Sequence, residues 1–193
     1  MKSQFTYLLY RREGRVQNRY AIVIFLPLHL EEIVAPLREK YDPIFDLVAS
    51  HITLVFPFET ERSLDEIAAI VRRETSGHPA IRIELESIGD YYPENPVIFW
   101  KVKPNDNLCR LYRQLYSGLG LPLPYKDYRP HVTVAREISH HRVVFVKDKI
   151  VSYLPNEWFV ARSVDLISPM ADNKWVSVRS FALADPGRST RRA

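Results

Sequence analysis

The sequence predicts a mixed fold of helices and strands in which one structural unit is written twice. Two short stretches read almost alike, HITL at 51–54 and HVTV at 131–134, and they lie 80 positions apart in a chain of 193 residues. The predicted elements around them also recur in one order: helix, strand with His-x-Thr, helix, strand, strand. The composition, 46% apolar and 26% charged, is typical of a globular protein with a sizeable core.

The first unit opens with an apolar β-rich run and a segment with apolar residues at helical spacing. Pro36 in that segment predicts a kink or an early helix end. After the strand that carries His51, Ser63 and Glu66 form a capping-box pattern, and Gly77 is a typical helix stop. Two further strands flank a turn-rich stretch. The predicted segments are, in chain order, 20–26, 29–41, 45–58, 63–77, 81–88 and 97–103.

The second unit follows the same order. A helix with Asn105 or Asp106 as its cap precedes the strand that carries His131. A helix rich in β-branched residues and two strands complete it. The predicted segments are 105–120, 130–138, 139–154, 158–168 and 174–183. We therefore expect one bilobal domain over 1–186, with pseudo-repeats near 18–104 and 105–184, and a disordered basic tail at 187–193.

Charge and composition exclude several classes of protein. The formal charge is +4, but Arg188, Arg191 and Arg192 in the tail supply three of those charges, so the remainder lacks the basic surface of a duplex-binding protein. No run of 18 apolar residues and no signal-peptide pattern is present, and Cys109 is the single cysteine. We expect a cytoplasmic protein without a membrane segment, and no obligate protein partner is evident.

The repeated motif places its polar side chains on one face of each strand. Residues i and i+2 of a strand project together, so His51 and Thr53 share a face, as do His131 and Thr133. The apolar residues between them point to the opposite side. If the two units pack with pseudo-twofold symmetry, two imidazoles and two hydroxyls meet in one cleft.

Such a set suits the displacement of a phosphodiester. One imidazole removes a proton from the attacking oxygen and the other supplies a proton to the leaving oxygen. Threonine hydroxyls are donors for the phosphoryl oxygens, and no metal or other cofactor is required. A metal site fits poorly, because neither an H-E-x-x-H motif nor a cysteine pair occurs, and a nucleophilic serine or cysteine lacks its motif. Partly buried structural histidines explain one motif more easily than two.

The residues H-I-T-L at 51–54 and H-V-T-V at 131–134 resemble the paired signatures of the 2H phosphoesterase superfamily. The nearest branch is the RNA 2′,3′-cyclic phosphodiesterases, also named 2′-5′ RNA ligases, whose second motif resembles P-H-V-T-V-A-R at 130–136. The likeness covers roughly residues 18–184. It implies an α+β bilobal fold with two antiparallel sheets facing a central cleft and helices outside.

The resemblance also implies roles. His51 and His131 would be the catalytic pair, with His131 activating water and His51 protonating the departing ribose oxygen, and Thr53 and Thr133 would hold the phosphate. The implied partner is an RNA end or nucleotide with a 2′,3′-cyclic phosphate, and the reverse reaction would be RNA ligation. The first motif continues as V-F-P-F rather than with the family's F-L-G. ADP-ribose cyclic phosphate, 2′-5′ oligonucleotides, U-tailed RNA ends and a non-catalytic binding module stay open as alternatives.

Other residues near the motifs are weaker candidates. Arg136, three positions beyond Thr133, is a candidate phosphate or base contact, although strict alternation turns it away from His131. Tyr125 and Tyr128 lie in the loop before His131, where an aromatic ring could stack on a base. By the same alternation, Phe56 is expected in the core. His78 is expected at the surface. Three tryptophans are expected in the core: Trp100, Trp158 and Trp175.

Overall fold

The computed structural model describes residues 18–184, so the predicted tail at 187–193 lies outside the described residues. Eight strands and four helices make up this part of the chain. The strands are β1 Asn18–Phe25, β2 His51–Thr60, β3 Ile81–Tyr91, β4 Asn95–Val102, β5 His131–Ala135, β6 Glu157–Ala161, β7 Ser163–Pro169 and β8 Trp175–Ala182. The helices are α1 Leu28–Tyr41, α2 Leu64–Thr75, α3 Asp106–Leu119 and α4 Val143–Val151, with 3-10 turns at Phe45–Leu47 and His140–Arg142.

The helix ends follow the local sequence signals, with one exception. Ser63 and Glu66 form the predicted capping box of α2, and the Asn105 side chain accepts a hydrogen bond from the Leu108 amide at 3.0 Å at the start of α3. Of the kink or early end predicted at Pro36, the early end is wrong, because α1 continues to Tyr41, and the kink stays a prediction. Val34 and Leu37, on either side of the proline, are buried against the core, and this packing outweighs the lost backbone hydrogen bond.

All strand pairs are antiparallel, and the sheet order is β6-β3-β4-β5-β2-β1-β7-β8. The predicted α+β class is confirmed. The two expected sheets are the two four-stranded halves of this order, and they join along β2 and β5 through one paired position, Ile52 with Val132. This join brings the two His-x-Thr strands side by side at the centre of the molecule.

The two halves of the sheet are not built from the two halves of the sequence. β7 and β8 come from the end of the chain but continue the sheet from β1, whereas β3 and β4 pair with β5 and β6. The predicted single strand over 158–168 is wrong, since it breaks at Arg162 into β6 and β7. The break lets the chain leave the edge of one half and enter the interior of the other.

The main core lies between the sheet and the helices, and it includes Trp100, which is fully buried. A smaller cluster of Ala21, Val23, Val48 and Ile167 covers the other face of the β1 half. Trp158 is 52% exposed, against the core prediction, because it lies on the edge strand β6 with the Arg82 guanidinium 4.1 Å from its ring centroid.

His78 is also misplaced by the sequence prediction. It is buried, because the segment around it pairs with the segment at Ala184. The Ala184 amide donates to the His78 carbonyl at 2.7 Å, and Pro79 forms a bridge with Ala184. That pairing partner lies more than 100 positions away, so local sequence does not reveal it.

Candidate active site

The central strands place the repeated side chains as the alternation predicts. Ile52 and Leu54 of β2 are fully buried, as are Val132 and Val134 of β5, whereas the histidines and threonines between them are half-buried. The apolar residues therefore fix each strand to the core, and the polar ones project from the opposite face.

The pairing of Ile52 with Val132 sets the relation of the two motifs. In antiparallel register, His51 lies on the side of Thr133, and His131 lies on the side of Thr53. Each imidazole thus has the hydroxyl of the other motif across from it. The structure brings together all four side chains predicted to form the site.

Both imidazoles are oriented by the same hydrogen bond. The Nδ1 atom of His51 lies 2.7 Å from the Ala49 carbonyl oxygen, and that of His131 lies 2.8 Å from the Arg129 carbonyl oxygen. Because a carbonyl oxygen can only accept, Nδ1 carries the proton in both rings. In the neutral rings, Nε2 is then left with a lone pair to take a proton, and in the charged form it has a proton to give.

A bulge follows the threonine in each strand. On β2, Thr53 is paired with Val23 and Val55 with Ile22, so one extra residue is inserted. On β5, Phe99 pairs with Thr133 and Ile98 with Ala135. The insertion puts two consecutive residues on the buried side and reverses the alternation after them. The residues at 54, 55, 134 and 135 are all fully buried.

The reversal corrects the sequence prediction at two equivalent positions. Phe56 is 40% exposed rather than in the core, and its ring lies edge-to-face against Tyr125 at a centroid distance of 6.0 Å. From the same reversal we infer that Arg136, just past the end of β5, returns to the side of His131 and Thr133. Its Nε atom lies 2.8 Å from Oδ1 of Asp42, and it forms one wall of a cavity of ≈ 420 Å³ beyond the motifs.

The surroundings of the two histidines differ. His131 lies among aromatic rings, with the Phe99 and Tyr91 centroids at 4.9 and 5.7 Å and the Tyr91 hydroxyl 3.4 Å from Nδ1. Within residues 18–184, the ring in contact with His51 is that of Phe25, at a centroid distance of 6.4 Å. Tyr91 therefore belongs to the candidate site, although it lies outside both motifs.

The pKa of each imidazole is lowered, chiefly by burial, which disfavours the charged form. For His51, the positive charges of Arg38 and Arg136 and the other histidine add to the effect of burial, and the pKa falls to about 4. For His131, burial and the charge of Arg136 lower the pKa from the ordinary 6.5. Both rings are therefore neutral at pH 7 in the free protein.

Three tyrosine hydroxyls hold the backbone at the Phe56 end of the site. The Tyr128 hydroxyl donates to the Thr53 carbonyl at 2.7 Å, and its ring stacks on Tyr112 at 4.0 Å. The Tyr112 hydroxyl donates to the Tyr125 carbonyl at 3.3 Å, and the Phe56 amide donates to the Tyr116 hydroxyl at 3.1 Å. Tyr128, a predicted base-stacking candidate, thus has one ring face and its hydroxyl engaged within the protein, whereas Tyr125 is 58% exposed.

Within residues 18–184, no group of three or more His, Cys, Asp or Glu side chains is arranged to hold a metal ion. None of the helices in that same range is long and apolar enough to cross a membrane.

Comparison with protein families gives one match that covers both motifs. The model of the 2′-5′ RNA ligase superfamily matches residues 26–172, which include both His-x-Thr strands. The chain belongs to this superfamily. The resemblance that the two motifs indicated is thereby confirmed.

Related members of the superfamily carry phosphoesterase names. A "Putative phosphoesterase" of Geobacillus kaustophilus is 37% identical over 121 residues, covering 62% of this chain and 70% of the relative. Another, of Bacillus pumilus, is 29% identical over 172 residues, covering 88% of this chain and 99% of the relative. The names of these relatives support the assignment of this protein to the phosphoesterases.

Solved structures support the superfamily fold across nearly the whole chain. E. coli LigT in complex with 3′-AMP superposes with a TM-score of 0.65 at 19% identity, covering 88% of this chain and 99% of LigT. A structure described as a phosphoesterase gives a TM-score of 0.63 at 17% identity, with coverage of 86% and 99%. At these identities the likeness shows the fold alone.

Proposed function

We propose that the protein is a phosphodiesterase that hydrolyses a 2′,3′-cyclic phosphate on an RNA end or a nucleotide to a 2′-phosphate. One observation carries the proposal: two imidazoles on adjacent strands, each with its Nδ1 proton held by a carbonyl, share a cleft face with two threonine hydroxyls. General acid–base chemistry on a phosphodiester needs two proton carriers and donors for the phosphoryl oxygens.

In the proposed reaction, Nε2 of His131 takes a proton from water, and the water oxygen attacks phosphorus. The bond from phosphorus to the ribose 3′ oxygen breaks, and His51 gives that oxygen a proton from Nε2. Thr53, Thr133 and Arg136 bind the phosphoryl oxygens, whose charge increases in the transition state. Each positioned acid or base contributes about 10²–10⁴-fold.

The charge of the substrate allows His51 to act as the acid. His51 must be protonated to act as the acid, yet Arg38, Arg136 and burial lower its pKa to about 4 in the free protein. A bound phosphodiester anion next to the imidazole opposes that field and raises the pKa. Because kcat/KM reports the free enzyme and both histidine pKa values are below 6.5, we expect its bell-shaped pH profile to have a maximum below pH 6.5.

The Phe56 end of the cleft supports a substrate with a base. Phe56 and Tyr125 are exposed and in contact, on the strand and loop that flank Thr53. Stacking on such rings tolerates any base. The superfamily member LigT has been crystallised with 3′-AMP and with phosphate, which supports a ligand of nucleotide size.

The test is hydrolysis of 2′,3′-cyclic nucleotides and a short cyclic-phosphate RNA in the presence of EDTA. We expect formation of a 2′-phosphate, and loss of turnover with retained ligand binding in His131→Ala and in His51→Ala. His29→Ala, an exposed histidine at the start of α1, is the matched control. Turnover that survives in both motif variants would refute the two-histidine mechanism.

The same assay separates the alternatives. Binding without turnover would favour a non-catalytic module, and turnover of ADP-ribose cyclic phosphate or a 2′-5′ oligonucleotide in place of the cyclic nucleotides would change the substrate class. Ligation is tested by adding an RNA with a 5′-hydroxyl end to the cyclic-phosphate RNA.

A further inference from the structure

The last turn of α1 connects the two catalytic strands through buried charges. Asp42, which follows α1, is 3% exposed, and Arg38 on the last turn is 1% exposed. Oδ2 of Asp42 accepts from Nε and Nη2 of Arg38 at 3.1 and 3.0 Å. Oδ1 of the same carboxylate accepts from the Ile44 amide at 3.2 Å and lies 2.8 Å from Nε of Arg136.

The Arg38 side of this network reaches the first motif. Nη1 of Arg38 donates to the Ser50 hydroxyl at 3.1 Å, and the Ser50 amide donates to the Glu31 carboxylate at 3.2 Å. Ser50 is buried and directly precedes His51. Two side chains of α1 thus fix the point at which β2 begins.

The Asp42 side of the network reaches the second motif. Besides the contact of its side chain with Asp42, Arg136 donates its backbone amide to the Tyr41 carbonyl at 3.1 Å. The contact with the carboxylate is an ion pair at Nε that lacks hydrogen-bond geometry, and the two outer nitrogens of the guanidinium keep donors for another acceptor. Arg136 is near enough to both histidines for its charge to lower both pKa values.

We propose that Arg38 and Asp42 are positioning residues, in which a carboxylate fixed by Arg38 holds the Arg136 guanidinium against the bound phosphate. The inference rests on the proposed function only where it is tested by turnover, and the binding of phosphate tests it independently. An arginine side chain has many rotamers. A fixed partner restricts them before the substrate binds, which lowers the entropic cost of placing the guanidinium. Neither residue touches the reacting atoms.

The test is a double-mutant cycle of Asp42→Asn and Arg136→Ala. Two quantities are measured for each protein: kcat and KM on a cyclic-phosphate RNA, and the binding of inorganic phosphate by calorimetry. A displaced catalytic group costs on the order of 10²-fold, so we expect that loss in kcat/KM for Asp42→Asn, mostly in kcat. In the Arg136→Ala background the same change should have an effect within about twofold, as for a residue that acts through Arg136.

A merely structural role gives a different result. If Asp42→Asn has the same effect with and without Arg136, or no effect on either quantity, the proposal is wrong. Failure of the wild-type protein to bind phosphate also overturns it. If phosphate binding shows the coupling while no cyclic phosphate is hydrolysed, the positioning role stands and the proposed function fails.

Two further variants protect the experiment against loss of the fold. Asp42→Asn leaves Arg38 buried and unpaired, which is strongly destabilising, so Arg38→Met combined with Asp42→Asn removes both charges of the buried pair. We expect this double variant to fold and to lose at least as much kcat/KM as Asp42→Asn, because it also removes the hydrogen bond from Arg38 to Ser50. Glu74→Gln, which removes an ion pair with Arg73 on α2, is the control and should retain both phosphate binding and turnover.

Discussion

The two His-x-Thr strands have the same backbone geometry, but different side chains surround them. Both bond Nδ1 of the histidine to the carbonyl two residues earlier, both bury the apolar residues between, and both carry a bulge after the threonine. Three positions past the threonine, however, one strand presents Phe56 and the other Arg136. The centre of the cleft is nearly symmetric, and its two ends are not.

The difference teaches how a symmetric pair can perform an asymmetric reaction. Two equivalent histidines cannot by themselves distinguish the attacking oxygen from the leaving one. An aromatic end beside Thr53 and a cationic end beside Thr133 make the cleft asymmetric. Under the proposed function, we expect a substrate with a base and a phosphate to bind in one orientation. The following changes test this comparison, from the largest expected effect to the smallest.

Loss of either imidazole should have the largest effect. His51→Gln and His131→Gln are each expected to lower kcat/KM by about 10²–10⁴-fold, because each removes one of the two proton carriers. Turnover of the cyclic-phosphate RNA measures the loss. Since the two groups act in one step, the double variant should lose much less than the product of the two single losses, and full additivity would contradict a shared step.

The second test uses the unequal charges around the two rings. The pKa of His51 is about 4 in the folded protein and the ordinary 6.5 in the unfolded chain. The unfolded state therefore binds more protons, and stability that is complete above pH 6.5 is lost as the pH falls toward 4, by about 3 kcal/mol. Urea unfolding of the wild type and of His51→Gln at pH 7 and pH 4 measures it. The pH effect should be smaller by that amount in the variant and unchanged in His29→Gln.

The third test concerns the aromatic end. Phe56→Ala removes one ring of the Phe56–Tyr125 pair, and stacking on a base is worth roughly 1–3 kcal/mol. We expect KM for a 2′,3′-cyclic nucleotide to rise accordingly, while kinetics on ribose 2′,3′-cyclic phosphate, which lacks a base, stay the same. Phe145→Ala, an exposed phenylalanine on α4, is the control. An equal loss on both substrates would show that Phe56 supports the fold rather than the base.

The smallest effect is expected from a single hydroxyl. Tyr128→Phe removes the 2.7 Å hydrogen bond to the Thr53 carbonyl and leaves the ring stacked on Tyr112. Thermal unfolding should report a loss of about 1 kcal/mol, with turnover changed only slightly. Tyr153→Phe, an exposed tyrosine, should leave the melting temperature unchanged.

The sequence alone predicted the features that depend on local patterns and on the repeated motif. Alternation placed His51 and Thr53 on one face, the repeat placed a second such pair, and the caps of α2 and α3 followed from single residues. It was insufficient where geometry depends on distant strands. The bulges that return Phe56 and Arg136 to the cleft are defined by their partners on β1 and β4, and the buried contact of Asp42 with Arg136 spans 94 positions.

The break at Arg162 has a consequence for how the chain can fold. β1 gains its second neighbour only when β7, about 145 residues later, returns to pair Ala21 with Ile167. Closing such a long loop carries a large entropic cost, and sheets rich in distant pairings fold slowly. A fragment that ends near residue 104 would hold β1 without β7 and β3 without β6. We therefore expect that neither predicted repeat, 18–104 or 105–184, folds on its own, because each would leave strands without their partners.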